Sequence, residues 1–183
     1  MFMIYLVRHA RPAFDMSRRV ARGHLAPLVE AHDRSGIVLP VSPLALGDIG
    51  AVFSSDTPRA AQSARAFFPD AEPCLDPVFR EAQLPARLPC PVDLRYSTTL
   101  VMARCLWLCG YAPETETLRE AGRRAGQAAQ MLDAAATDHG SVALVGHGFF
   151  NRLIGRSLAE GGWKRVSSTG DGFEQVRAYG KKV

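Results

Sequence analysis

Residues 2–10 read Phe-Met-Ile-Tyr-Leu-Val-Arg-His-Ala, an apolar run that ends abruptly at an arginine and a histidine. A short apolar run stopped by charged residues is typical of a strand that is buried on both faces. Similar runs occupy residues 51–54 and 142–145, and segments with helical spacing lie between the runs. Strands that alternate with helices predict a three-layer α/β/α fold with a mostly parallel central sheet.

The segments around these strands divide into helices, loops and further short strands. Helical spacing predicts helices over residues 57–68, 92–108, 114–139 and 148–158, and an interrupted helix over residues 17–33. Asp56 is the expected N-cap of the helix over residues 57–68. Residues 74–75 are a possible strand, and residues 174–179 are interpreted as an edge strand. Because no repeat or long linker divides the chain, we expect a single domain over residues 1–183.

Polar residues follow three of the strands at their carboxyl ends. Arg8 and His9 end the first strand. Arg59 opens the helix after the second strand, and His147 directly follows the third. Ligands of an open parallel sheet bind beyond the carboxyl ends of its strands, so these side chains are expected to meet at one edge. Two arginines and two histidines, with helix N-termini beside them, predict a pocket for a dianion such as a phosphoryl group.

The ordered set of segments resembles the signature of the histidine phosphatase superfamily, the phosphoglycerate-mutase-like proteins, and in particular its small phosphatases. Leu-Val-Arg-His-Ala at residues 6–10 resembles the Arg-His-Gly motif, and residues 54–64 resemble the second segment of the family. Val-Gly-His-Gly at residues 145–148 resembles the segment of the distal histidine. Phe-Arg-Glu at residues 79–81 stands where the family often carries its proton donor. In two departures, Ala10 replaces the usual glycine and no recognisable polar substrate loop follows the first strand.

The resemblance implies a role for each residue of the set. His9 would be the nucleophile that forms a phosphohistidine. Arg8 and Arg59 would clamp the phosphoryl oxygens, and His147 would donate to the same oxygens. Glu81 would protonate the leaving alkoxide and then activate the hydrolytic water. No metal or other cofactor is implied, because the arginines and histidines supply the positive charge.

Composition limits the partners of the chain. The formal net charge is +4, and 19 of the 22 basic residues are arginine. These residues are scattered and form no stripe interleaved with aromatic residues, so nucleic-acid binding is not expected. No apolar run approaches the roughly 18 residues of a membrane helix. We therefore expect a small-molecule phosphate ester as the partner, whereas the sequence leaves the oligomeric state open.

The cysteines indicate a reducing compartment. The four cysteines form no CxxC pair, which argues against a zinc site. Cys105 and Cys109, four residues apart in an apolar stretch, are expected to pack in the core. Residues 1–7 are apolar but lack the basic start of a signal peptide, so a cytoplasmic location is expected. His32 and His139 are interpreted as surface residues at helix ends.

A metal-independent phosphatase acting on a phosphate monoester is the leading hypothesis, and three alternatives stay open. A phosphoglycerate-mutase-type transferase would need an insertion that closes over the phosphorylated enzyme, and the short chain has none. A phosphatase acting on phosphohistidine of a partner protein often lacks the acid, so Glu81 favours an ester. A non-catalytic phosphate-binding module on the same fold would usually have lost the nucleophile or an arginine.

Overall fold

A mixed sheet occupies the centre of the computed structural model, which describes residues 2–170 and 172–181. The strands are β1 (Phe2–Arg8), β2 (Arg19–Val20), β3 (Ala51–Ser54), β4 (Cys74–Leu75), β5 (Leu94–Arg95), β6 (Ser141–Gly146), β7 (Lys164–Thr169) and β8 (Val176–Lys181). Six of these form the central sheet in the order β4-β3-β6-β1-β8-β7, and β2 pairs with β5 in a separate two-stranded sheet. The three apolar runs of the sequence therefore lie side by side as β3, β6 and β1.

The register of these three strands brings their carboxyl ends level with one another. β6 lies between β1 and β3 and is parallel to both, and Val145 of β6 is the partner of Val7 on one side and of Ser54 on the other. β4 continues the parallel part beyond β3, whereas β8 and β7 are antiparallel to their neighbours. The prediction of a mostly parallel sheet is confirmed.

Helices cover both faces of the sheet. They are α1 (Ala26–Asp33), α2 (Pro58–Phe67), α3 (Tyr96–Leu108), α4 (Leu118–His139) and α5 (Gly148–Glu160), with short 3-10 turns at Ala21–Gly23 and Pro77–Phe79. Ile4 and Leu6 of β1 point into a core formed with α4 and α5. Val7 and Val145 point to the opposite face, into a core formed with α2. The predicted three-layer α/β/α arrangement is therefore confirmed.

The sheet edge beyond β8 differs from the prediction. Residues 174–179 were interpreted as an edge strand, but β8 lies inside the sheet between β1 and β7. The true edge is β7, whose six residues are all exposed. Their sequence, Lys-Arg-Val-Ser-Ser-Thr, has no apolar alternation, so hydrophobic periodicity gave no signal for this strand.

The ends of several helices lie a few residues away from their predicted positions. Thr57, not Asp56, is the N-cap position of α2, and the Asp56 carboxylate instead binds Arg80. α4 begins at Leu118 because Thr117 forms a capping box with Glu120. The broken helix expected over residues 17–33 is α-helical only in α1.

The exposed side of α3 carries the cysteines that were expected in the core. The buried residues of this helix are Tyr96, Thr99, Ala103 and Trp107, spaced three or four apart. That spacing turns Cys105 and Cys109 to the opposite side, and both are exposed. Their assignment to the core was therefore wrong. Among the helices in the described part of the chain, none combines the length and apolar character needed to cross a membrane.

Candidate active site

His9 begins the site, directly after the last residue of β1. Its backbone N–H donates to the carbonyl oxygen of Gly146 in β6, and its ring is buried. The ring atom Nδ1 lies 2.7 Å from the carbonyl oxygen of Ala10. Because a carbonyl oxygen only accepts, Nδ1 carries the proton and Nε2 keeps its lone pair. The backbone thus selects the tautomer in which Nε2 is a nucleophile.

The charge state of the His9 ring follows from its surroundings. Burial and the neighbouring Arg59 and Arg8 lower the pKa of His9 to about 3, although the bond to the Ala10 carbonyl acts in the opposite direction. The ring is therefore neutral near pH 7, as attack on phosphorus requires. The Ala10 methyl group, which stands where a glycine is usual, is fully buried, and the Ala10 N–H donates to Ser63 Oγ. The extra methyl is accommodated without displacing His9.

His147 is the N-cap of α5 and lies across the pocket from His9, with ring centroids 5.2 Å apart. Its Nδ1 is 3.4 Å from Nη2 of Arg59, and its Nε2 is 3.0 Å from Ser55 Oγ. A guanidinium only donates, so Nδ1 accepts and Nε2 carries the proton. Burial and the charge of Arg59 hold the pKa of His147 well below its usual value. His147 is thus a neutral donor in this arrangement.

Arg59 lies at the start of α2 and is almost completely buried. Its Nη1 donates to the carbonyl oxygen of His32 at 3.1 Å and to Asp33 Oδ1 at 2.9 Å. These bonds tether the guanidinium to the end of α1. Its Nε is buried with no hydrogen-bond partner within the described residues. An unpartnered buried donor in a pocket is suited to an anionic ligand.

The prediction that His32 is a surface residue is wrong. The ring of His32 is half-buried, and its centroid lies 5.1 Å from that of Phe14 and 5.7 Å from that of Tyr96. Burial and the nearby Arg59 lower the pKa of His32 to about 4. His139 is exposed at the end of α4, as predicted.

Arg8 enters the site from the last position of β1. Its Nη1 donates to the carbonyl oxygen of Gly172 at 3.4 Å, and its guanidinium carbon lies 4.4 Å from the centre of the Phe173 ring. Its Nε is buried and unpartnered in the described part of the chain. A Cβ at Gly148 would come within 3.1 Å of this Nε, so the glycine after His147 leaves room for the guanidinium.

Glu81 lies at the same helix end as His147. Its Oε1 accepts from the backbone N–H groups of Ala82 and Phe150, both at 2.8 Å, and its Oε2 accepts from that of Phe149 at 3.1 Å. The carboxylate therefore caps the first turn of α5. To protonate a leaving group, one of its oxygens must exchange a backbone bond for a proton. The neighbouring Arg80 binds Asp56 rather than Glu81.

Arg124 of α4 fixes the turn that carries Glu81, and sequence reasoning missed it. Its Nη1 donates to the carbonyl oxygens of Val78 and Arg80, each at 2.8 Å. Glu116 binds the guanidinium through both carboxylate oxygens, and the Phe150 ring lies 3.8 Å from the guanidinium carbon. Arg124 showed in the sequence only as half of a basic pair, because its partners are distant in the chain.

A cavity of about 300 Å³ lies next to Phe173, and His9 is not among the residues that line it. Phe173, whose ring centroid is 5.7 Å from that of His9, forms one wall. The other walls come from the chain after β1: Arg11, Pro12, Phe14, Asp15, Met16 and Ser17. This segment gave no family-like substrate loop in the sequence, yet it lines a cavity that shares Phe173 with the surroundings of His9. Within residues 2–170 and 172–181, no cluster of three or more His, Cys, Asp or Glu side chains is placed to hold a metal ion.

Comparison with known proteins supports the resemblance to the histidine phosphatase superfamily that the sequence motifs indicate. A model of the histidine phosphatase superfamily (branch 1) matches residues 4–170. A phosphoserine phosphatase variant from Entamoeba histolytica, solved with phosphoserine, superposes with a TM-score of 0.61 at 13% identity, over 97% of this chain and 90% of that chain. A mycobacterial glucosyl-3-phosphoglycerate phosphatase gives a TM-score of 0.56 at 18% identity, over 87% and 80%. No curated protein matches the sequence. At these identities the structural likeness shows the fold alone.

Proposed function

The chain belongs to the histidine phosphatase superfamily (branch 1) and is a phosphatase, and we propose that it hydrolyses a small phosphate monoester, without a metal, through a phosphohistidine on His9. One observation carries this proposal. The Nδ1 atom of His9 is bonded to the Ala10 carbonyl oxygen, which leaves the Nε2 lone pair facing a pocket of buried cations. A neutral, oriented imidazole among cations is what a nucleophile toward a phosphoryl dianion requires.

In the first step, Nε2 of His9 attacks phosphorus as the bond between phosphorus and the ester oxygen breaks. Arg8 and Arg59 donate to the other phosphoryl oxygens, where charge is spread in the transition state. The Nε2–H of His147 exchanges its bond to Ser55 Oγ for one to these oxygens. Glu81 gives a proton to the leaving oxygen. The products of this step are the free alcohol and a phosphohistidine.

In the second step, water replaces His9 on phosphorus. The Glu81 carboxylate takes a proton from the water as its oxygen bonds to phosphorus and the bond from phosphorus to Nε2 breaks. Inorganic phosphate leaves, and His9 returns to its neutral form with the proton on Nδ1. Each cycle therefore consumes one ester and one water.

A cavity next to Phe173 supports a small molecule rather than a protein as the substrate. It has the size of a small-ligand site, its walls combine aromatic rings with Arg11, and the Phe173 ring also lies against His9. Glu81, at the N-terminus of α5, supports an ester, because a histidine leaving group needs less help from an acid. We further propose that residues 1–183 form one domain and that the protein is cytoplasmic, which the free state of all four cysteines supports.

Turnover of para-nitrophenyl phosphate in the presence of a metal chelator tests the proposal. His9→Ala should lose several orders of magnitude in kcat, because the covalent route disappears. Arg59→Ala should lower kcat/KM by about 10²–10³-fold, the usual cost of one preorganised donor. Its matched control is Arg65→Ala on the exposed side of the same helix, which should stay within about twofold of wild type. Equal rates for wild type and His9→Ala would rule the mechanism out.

A further inference from the structure

A second, larger cavity lies on the face of the sheet covered by α5. It has a volume of about 510 Å³ and opens between α5 and the strands β7 and β8. Four arginines line it, and we call it the arginine groove: Arg152, Arg156, Arg165 and Arg177. None of these residues belongs to the set proposed for catalysis.

The secondary structure places the four guanidinium groups on facing walls. Arg152 and Arg156 are four residues apart on α5 and therefore share one side of the helix. Arg165 of β7 is the cross-strand partner of Tyr179 in β8, so the two side chains share one face of the sheet. Arg177 precedes Tyr179 by two residues and points to the same face.

The floor of the groove is where α5 approaches the sheet most closely. A Cβ at Gly155 would collide with the hydroxyl group of Tyr179, so only glycine allows the helix to lie this near the strand. Tyr179 is buried beneath the helix. The floor of the groove is therefore fixed by the packing between α5 and β8.

Three of the four groove arginines have no acidic partner in the described part of the chain. Within residues 2–170 and 172–181, no ion pair involves Arg152, Arg156 or Arg165, and all three are exposed. Elsewhere on the surface, Arg65 and Arg80 each bind a carboxylate. Like charges gathered in one groove repel one another unless an anion is bound between them.

The groove also adjoins the pocket formed by Arg8, His9, Arg59 and His147, which we call the phosphoryl pocket. Arg177 is the cross-strand partner of Leu6 in β1. Arg177 and Arg8 are therefore diagonal neighbours on the same face of the sheet, and the Cα atoms of such neighbours lie about 7 Å apart. Arg152 lies one helical turn beyond Gly148, the residue that contacts Arg8. The charges of Arg152 and Arg177 act with burial to lower the pKa of Arg8, against the raising effect of Glu81. A line of cations thus runs from the phosphoryl pocket into the groove.

We propose that the arginine groove binds a small anion carrying two or more phosphate groups. A volume of about 510 Å³ is larger than one phosphate needs, and the exposed forked donors Arg152, Arg156 and Arg165 can hold several phosphate oxygens at once. The phosphates can belong to the remote end of a substrate whose reacting phosphate lies at His9, or to a separate molecule. The binding itself requires no hydrolysis at His9.

Calorimetric titration with inorganic tripolyphosphate tests the groove directly. The double variant Arg156→Ser/Arg165→Ser should bind at least tenfold more weakly than wild type, because it loses two forked donors. The control Arg65→Ser/Arg119→Ser removes the same charge from α2 and α4 outside the groove, and its affinity should change less than twofold. If both double variants bind tripolyphosphate as wild type does, or weaken equally, the groove is not the site.

Inhibition of para-nitrophenyl phosphate turnover by tripolyphosphate shows whether the phosphates in the groove belong to the remote end of a substrate or to a separate molecule. Competitive inhibition that weakens in Arg156→Ser/Arg165→Ser supports one molecule that spans pocket and groove. Non-competitive inhibition that weakens in the same variant supports a separate molecule. Equal inhibition constants in wild type and variant would contradict the proposal. Absence of turnover in wild type would instead contradict the phosphatase mechanism, while the calorimetric result would still stand.

Discussion

At the scale of single residues, the two pocket histidines are held neutral with opposite tautomers. The Ala10 carbonyl keeps the proton on Nδ1 of His9, whereas Arg59 leaves the proton of His147 on Nε2. One ring therefore presents a lone pair and the other an N–H. This division suits one ring to attack and the other to stabilise the oxygens of the same phosphoryl group.

The buried neutral state of His9 predicts a loss of stability in acid. Its pKa of about 3 in the folded protein lies below the value near 6.5 of an unfolded chain, so the unfolded state binds more protons between these values. The contribution is present in full above about pH 6.5 and is lost as the pH falls toward 3. At pH 5 the part that has been lost amounts to about 2 kcal/mol.

Urea unfolding at pH 7 and pH 5 measures this contribution. In His9→Asn, the difference in unfolding free energy between the two pH values should be about 2 kcal/mol smaller than in wild type. A difference of the same size in both proteins would show that His9 does not contribute to the acid sensitivity.

The sequence predicted which side chains meet at the site better than it predicted the contacts that support them. Arg8, His9, Arg59 and His147 could be placed together because parallel strands bring their carboxyl ends to one edge. The tautomers could not be predicted, since they depend on hydrogen bonds that exist only after folding. Arg124 could not be found either, because its partners belong to a turn more than forty positions earlier in the chain.

At the scale of elements, the first turn of α5 joins the site to the rest of the fold. His147 caps this helix, and Glu81 binds its free backbone N–H groups. Arg124 of α4 in turn holds the carbonyl oxygens of the segment that carries Glu81. The position of Glu81 thus depends on the packing of α4 against α5.

Substitution of Arg124 tests this dependence. Arg124→Gln removes the bonds that hold the Glu81 segment, so kcat should fall about tenfold or more while KM changes little. The free energy of unfolding should fall by about 1–3 kcal/mol, the cost of losing hydrogen bonds to a charged group. The control Arg123→Gln removes a neighbouring exposed cation and should leave both quantities unchanged. A parallel change of kcat in the two variants would contradict a positioning role for Arg124.

Strands with a buried apolar pattern were predicted, and so was the short exposed β4, whereas the exposed strand β7 was not. β1, β3 and β6 are buried on both faces and lie where continuous apolar runs indicated them. β7 was missed because it is stabilised by pairing with β8 and buries none of its side chains. Backbone pairing at a sheet edge leaves little trace in hydrophobicity.

At the scale of the whole molecule, a row of arginines runs from the sheet edge that carries His9 along α5. Arg59 is buried and Arg8 is half-buried in the phosphoryl pocket, and the arginine groove continues from Arg8 across the adjoining face of the sheet. The net charge of +4 is small, so the local placement of the arginines creates this field, not the total charge. The two proposals thus place a site for a reacting phosphate beside a site for further anionic groups.

The covalent intermediate is the most direct test of the mechanism. The protein is mixed with para-nitrophenyl phosphate, quenched in alkali within the first turnovers, digested and analysed by mass spectrometry. Because para-nitrophenolate leaves without a proton, Glu81→Gln should still be phosphorylated but lose the base for hydrolysis, so it should accumulate more phosphoenzyme than wild type. We expect the phosphoryl group on the peptide that contains His9, and none in His9→Ala. Continued turnover with no phosphoryl group on His9 would contradict the mechanism.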